Sequence, residues 1–259
     1  MLLALPFLLL AAAVSSPALG AVRSERLDYR SGDTVCEGYL AWDDSATGKR
    51  PGIVVIHDWM GQGEYGQRRA RELAALGYVA LAADLYGTGI RPKDGGEAAA
   101  LAGKYKGDLP LLRARARAAL DALAASPRVD PSRLFALGYC FGGTAALELA
   151  RSGAPLAGTV AFHAGLATKD PADAKAIRGR VLALHGAADT FVPPAEVAAF
   201  QKEMTDAKVD WQMVYYSYAV HSFTRIDAGN DPSKGVAYNE KADRRSWEAM
   251  KAFLAENPR

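Results

Sequence analysis

The six residues Gly138-Tyr139-Cys140-Phe141-Gly142-Gly143 carry the strongest chemical signal in the sequence. Glycines stand two before and two after a cysteine, the spacing of a nucleophile elbow with a thiol where a hydroxyl is usual. The apolar run Leu134 to Leu137 reads as a strand and Thr144 to Ala150 as a helix, which is the context such a turn needs. Cys140 then projects from the top of a sheet at a helix N-terminus, where unpaired N–H groups and the helix dipole favour thiolate over thiol. The chemistry implied is nucleophilic attack on an acyl carbon.

Such a nucleophile needs a base and an acid, and behind an elbow of this type they follow in the order acid, then histidine. Of the 4 histidines, His57 and His163 end strands elsewhere and His185 ends the strand leading to Asp189. His221 alone lies downstream of every candidate acid, in the loop Ala219 to Phe223 before the last helix. Among the carboxylates between Cys140 and His221, Asp189 stands four residues past the end of a strand, on the side where strand C-termini hold function in parallel sheets. The assignment is that Asp189 orients His221, His221 takes the thiol proton, and Cys140 forms a thioester that water hydrolyses. The oxyanion of the intermediate needs two donors: the Phe141 N–H from the elbow, and the Trp59 N–H from the loop His57 to Gly63. The Trp59 ring is also placed to wall the pocket.

The elements that must hold these groups alternate along the chain. Apolar β-rich runs at 52–57, 78–83, 133–138, 158–163, 181–185 and 211–216 are separated by helical patterns at 68–76, 111–125 and 144–151, and a final helix covers about 241–256. Continuous apolar strands between helices describe an α/β fold, a mostly parallel central sheet covered by helices on both faces. The glycine- and charge-rich stretch 87–108 is expected to be a loop near the site, and the run Arg113/Arg115/Arg117 a solvated helix face.

With 259 residues, 50% hydrophobic, the chain can bury one large core. A formal net charge of +2 from 31 basic and 29 acidic residues, spread along the sequence, argues against a nucleic-acid partner. Residues 1–14 are apolar throughout and are followed by Ser15 to Gly20, with small residues at Ala18 and Gly20, which matches a secretory signal cleaved before Ala21. The expectation is a single domain over 21–259, exported to the periplasm or beyond, with no membrane association after cleavage. Export opens the question of a Cys36–Cys140 disulfide, but Cys36 sits in a strand-like segment and is expected to pack in the core. No CxxC is present, so a thioredoxin-like redox site has no support.

These residues resemble the dienelactone hydrolase family, within the α/β-hydrolase fold. The resemblance covers most of the chain after residue 20. Besides the elbow it is carried by Asp84-Leu85-Tyr86, Asp189-Thr190-Phe191-Val192-Pro193 and His221-Ser222-Phe223-Thr224-Arg225. It implies a Cys-His-Asp triad at Cys140, His221 and Asp189, hydrolysis of a small ester or lactone, and no cofactor or metal. In the family a glutamate helps to activate the cysteine, and Asp58, one methylene shorter, takes its position here. Two arginines bind the substrate carboxylate in the best-known members. Arg225 matches the second, Thr88 occupies the place of the first, and Arg91 lies close by. Tyr86, Thr88 and Arg225 are therefore the candidate substrate-binding residues.

The partner expected is a small-molecule ester or lactone, with or without a carboxylate, bound by a monomer or weak homodimer. Two alternatives stay open on the same scaffold: a thioesterase or peptide-type hydrolase, and a non-catalytic ligand-binding protein. A peroxidatic role for Cys140 is a third.

Overall fold

The computed structural model describes residues 21–256. Eight strands form one sheet in the order β1-β2-β4-β3-β5-β6-β7-β8. The strands are β1 (Val22–Ser31), β2 (Thr34–Asp43), β3 (Arg50–Ile56), β4 (Val79–Ala83), β5 (Val129–Tyr139), β6 (Gly158–Phe162), β7 (Arg180–Gly186) and β8 (Trp211–Tyr216). The β1–β2 hairpin joins antiparallel at β4, and every pairing from β4 through β8 is parallel. The mostly parallel sheet is the arrangement expected from the alternating pattern, and it agrees with the α/β-hydrolase fold that the resemblance implies. The secretory signal expected over 1–20 lies outside the described residues. Among those described, no helix is long and apolar enough to cross a membrane.

The helices are α1 (Glu64–Ala75), α2 (Gly95–Gly107), α3 (Leu109–Ala124), α4 (Phe141–Arg151), α5 (Pro194–Asp206) and α6 (Glu240–Ala255). Strand side chains alternate between two cores because successive residues of a strand point to opposite faces. Val54 and Ile56 of β3 pack with α3 and α4 side chains such as Leu120 and Leu149. Ile53 and Val55 pack on the other face with Leu73 of α1 and Met250 of α6. A smaller cluster under β6 and β7 gathers Val197, Phe200 and Met204 of α5 around Leu147 of α4. Two-sided burial is why these strands read as unbroken apolar runs.

Two expectations are corrected. The stretch 87–108 is a loop only as far as Asp94. That residue caps α2 by accepting the Glu97 N–H at 2.9 Å, and the helix seats Ala98, Ala102 and Tyr105 in the core. Nor is the arginine run a solvated face. Arg115 is buried, donating to Thr34 Oγ1 at 2.6 Å and to the Ser31 carbonyl at 3.3 Å, so it ties α3 to the β1–β2 hairpin. Arg113 donates to Glu148 Oε2 at 2.6 Å, and Glu148 also accepts from Arg151 at 2.9 Å. Arg151 then forks onto Glu203 with two bonds of 2.8 Å. The chain of buried pairs clamps α4, which begins at the elbow, to α3 and α5. Only Arg117, paired with Asp121, lies on the surface as expected. Cys36 is a free thiol fully buried in the core, so the packing role holds and the disulfide is not formed.

Candidate active site

Between the end of β5 and the start of α4, Cys140 adopts φ 54° and ψ −119°. For a residue with a Cβ this region stores ~1–3 kcal/mol of strain, which the surrounding structure must impose. The imposing contacts are backbone against backbone. A Cβ on Gly138 would lie 2.0 Å from the Gly142 carbonyl oxygen, and one on Gly142 would lie 2.2 Å from that of Ile56. Only glycine at both places lets the first turn of α4 close on β5 and on the end of β3. The Cys140 N–H is held by the Phe162 carbonyl at 3.0 Å, while its own carbonyl accepts from Gly143 and Thr144.

The turn after β7 brings Asp189 beneath His221. Asp189 Oδ1 accepts the Phe191 N–H at 2.9 Å, and Oδ2 faces His221 Nδ1 at 2.8 Å. A carboxylate can only accept, so Nδ1 carries a proton and Nε2 is left toward Cys140 Sγ, 3.0 Å away. The backbone of His221 is fixed as well, donating to the Gly235 carbonyl and accepting from Ala237 in a short bridge with the chain around Val236. Burial works against a charged imidazole here. The hydrogen bonds and charges of Asp189 and Cys140 outweigh it and raise the His221 pKa to about 10. Its neighbour His163, with ring centroids 5.3 Å apart, is kept neutral by burial and hydrogen-bonds Thr224 Oγ1 at 2.8 Å. The site can therefore hold an imidazolium 3.0 Å from the Cys140 sulfur.

Beside the sulfur opens a cavity of 420 Å³ walled by Trp59, Phe141, Phe191, Val192 and Val236. Apart from His221, its charged lining residues are Glu196 and Lys106. Glu196 Oε1 accepts the Leu166 and Ala167 N–H groups, at 2.6 and 3.0 Å, and so holds the loop that forms one wall. Lys106, on the last turn of α2, has no carboxylate within 4.0 Å among the described residues. Neither the Phe141 nor the Trp59 N–H meets an acceptor among those residues.

The structure brings Cys140, His221, Asp189, Trp59 and Phe141 together, and places the remaining candidates elsewhere. Asp58 does not reach the sulfur: one carboxylate oxygen accepts the Met60 N–H at 2.8 Å and the other pairs with Arg225. Arg225, further held by Asp227, lines a separate 630 Å³ cleft together with Arg91. Thr88 is tied to β2 through the Val35 carbonyl, which accepts from its hydroxyl at 3.2 Å. Tyr86 is buried behind the pocket wall. It donates to the Trp59 carbonyl at 3.0 Å and packs its ring on His57 and Phe141. Lys106 escapes sequence reasoning because 95–107 reads as a loop. Phe191 lies inside a quoted motif, yet nothing in its type distinguishes a pocket wall from core packing.

A sequence profile of the dienelactone hydrolase family matches residues 36–257. The structure named m3DLH is similar at a TM-score of 0.88 with 46% identity, over 91% of this chain and 98% of that one. The metagenomic protein P91, described as a dienelactone hydrolase-like promiscuous phosphotriesterase, is similar at a TM-score of 0.87 with 44% identity, over 91% of this chain and 98% of its own. A Salmonella typhimurium protein with a provisional name as a carboxymethylenebutenolidase is 27% identical over 229 residues, 84% of this chain and 82% of its own.

Proposed function

From the premise that the chain belongs to the dienelactone hydrolase family, we propose that it hydrolyses small esters or lactones with Cys140 as nucleophile, His221 as proton carrier and Asp189 as its orienting acid. The observation that carries this reading is the unbroken chain Asp189 Oδ2 to His221 Nδ1 at 2.8 Å and His221 Nε2 to Cys140 Sγ at 3.0 Å, opening on a mainly apolar cavity.

The thiolate adds to the acyl carbon and the carbonyl electron pair moves to oxygen, where the Phe141 and Trp59 N–H groups receive the oxyanion. Collapse expels the alkoxide, which takes the His221 proton and leaves as alcohol. Neutral His221 then draws a proton from water as that water attacks the thioester. The second collapse releases the acid and restores the thiolate–imidazolium pair. Selection of a carboxylate-bearing substrate by two arginines has no support, because Arg225 and Arg91 line the other cleft. An ester or lactone with an apolar acyl group fits the walls better, with Lys106 at the rim for any negative substituent.

A phosphotriester is the second reading, favoured by the 44% identity to the protein described as a phosphotriesterase. A neutral triester suits an arginine-free cavity, and the same thiolate would attack phosphorus. Export stays part of the proposal, and a mature protein whose N-terminal residue is Ala21 is the expected product. Burst hydrolysis of p-nitrophenyl acetate, lost in Cys140→Ala, is the expected result for the hydrolase; turnover that survives this substitution unchanged removes the reading. Cys140-dependent release of p-nitrophenol from diethyl p-nitrophenyl phosphate supports the second.

A further inference from the structure

His57 has no part in the triad, but its ring contacts the turn that offers the second oxyanion donor. The residue follows β3 and is 3% exposed. Its Nε2 accepts the Leu85 N–H at 3.1 Å, so the ring proton resides on Nδ1, which donates to the Asp58 carbonyl at 2.5 Å. Burial pushes the His57 pKa down and keeps this neutral form. The same carbonyl accepts the Gly61 N–H at 3.3 Å, and the Asp58 carboxylate accepts that of Met60 at 2.8 Å.

Two of the three amides after Asp58 are thus bonded inward, and among the described residues only the Trp59 N–H is free. That N–H and the Asp58 carbonyl belong to one planar trans peptide, in which the two groups point in opposite directions. Holding the carbonyl against His57 therefore turns the Trp59 N–H away from the ring. The elbow lies close at hand. A Cβ on Gly142 would meet the His57 carbonyl oxygen at 2.4 Å, and the His57 and Phe141 rings stack with centroids 6.0 Å apart.

We propose that His57 is a positioning residue, whose Nδ1–H locks the Asp58–Trp59 peptide so that the Trp59 N–H serves as second oxyanion donor. The inference rests on the hydrolase reading, with Phe141 as the first donor. A complete loss of one oxyanion donor lowers turnover ~10²–10³-fold, and a donor left free to turn retains part of that. The expected loss without the lock is ~10-fold or more.

Two variants divide the functions of the ring. Asparagine places an amide N–H where Nδ1 stands and keeps the donor to Asp58. Glutamine places an oxygen where Nε2 stands and keeps the acceptor for Leu85. Turnover of p-nitrophenyl acetate is measured alongside Cys140 alkylation by iodoacetamide, which reports the thiolate and needs no oxyanion hole. The expected result is a loss of kcat in His57→Gln, near-normal kcat in His57→Asn, and wild-type alkylation rates in both. Any other pattern overturns the proposal; in particular, rescue by glutamine but not asparagine would make the Leu85 bond the important one. Failure of the hydrolase reading shows separately, as turnover indifferent to Cys140→Ala.

Discussion

Replacing Asp189 by asparagine removes one charge and keeps the shape, so its effect can be worked from the contacts. The Asp189 side chain is fully buried and its Oδ2 lies 2.8 Å from His221 Nδ1. Held at about 10 against an ordinary 6.5, the imidazolium gains ~5 kcal/mol in place, at ~1.4 kcal/mol per pH unit. Burial opposes this gain, and the carboxylate and the Cys140 sulfur supply it. In Asp189→Asn the amide oxygen still accepts the Phe191 N–H, but the amide nitrogen faces Nδ1 as a donor. The neutral ring then carries its proton on Nε2, toward the sulfur, and cannot accept another there. The expected fall in kcat is between ~10² and ~10⁴, the range for loss of a positioned acid–base group. The pH profile gives the sharper readout. On the proposed mechanism wild-type activity needs imidazolium to protonate the leaving alcohol, so its alkaline limb is expected to fall near pH 10. With the carboxylate gone and burial retained, that limb moves to lower pH by at least a unit. Stability follows the same proton. A raised pKa in the fold contributes stability that is complete below pH 6.5 and lost as pH rises through about 10. Urea midpoints across this window should fall more in the wild type than in the variant. An Asp189→Asn protein that folds and keeps the wild-type alkaline limb refutes the reasoning.

Arg151→Met strands the buried Glu203 and leaves the buried Glu148 to Arg113 alone, and should cost ~3–5 kcal/mol in urea unfolding, whereas Arg117→Ala on the surface should change it by less than ~0.5 kcal/mol. Lys106→Glu should lower kcat/KM for a carboxylate-bearing aryl ester relative to a neutral one of equal size by ~3- to 10-fold, a charge reversal at a partly screened site. Arg225→Gln should leave that ratio unchanged; if Arg225 moves it and Lys106 does not, the substrate enters by the other cleft.

What could be read in the sequence and what could not divide along the range of the forces. The elbow was legible because its glycines answer a local demand, the close approach of a strand and the helix that follows it. Asp189 and His221 were legible because each stands just past a strand end, and chain order then leaves few partners. Arg115 was misread, and the partner of Arg225 was not foreseen, because a side chain's partner is set by tertiary folding. The Arg225–Asp58 pair spans 167 residues and the Arg115–Thr34 bond spans 81. Nothing in an arginine's own neighbourhood distinguishes a solvated cation from one buried against a hairpin. Helix α2 was hidden by glycines at both ends and a weak apolar stripe, its Asp94 cap being the signal that could have found it. Strand β1 was missed because it lies at the edge of the sheet and buries only Tyr29.

The substitution at position 58 changes how the site is built. An aspartate reaches the N–H two residues on in an Asx turn, a geometry suited to its short side chain, and here it does so at Met60. The carboxylate is thereby engaged in shaping the loop that carries Trp59, with Arg225 as its counter-ion. A group so occupied is not free to take the thiol proton. On the proposed mechanism the burden of activating Cys140 then falls on His221, and its surroundings are suited to that: a buried carboxylate beneath it, a neutral His163 beside it, and a backbone bridge that fixes the His221 main chain. Asp58 and His57 hold the turn from its two sides, one by the Met60 amide and one by the Asp58 carbonyl. The glutamate that the resemblance implies at this position is on this view replaced by a firmer oxyanion loop. Rate would come from a fixed ion pair and a preorganised hole, without a second carboxylate at the sulfur.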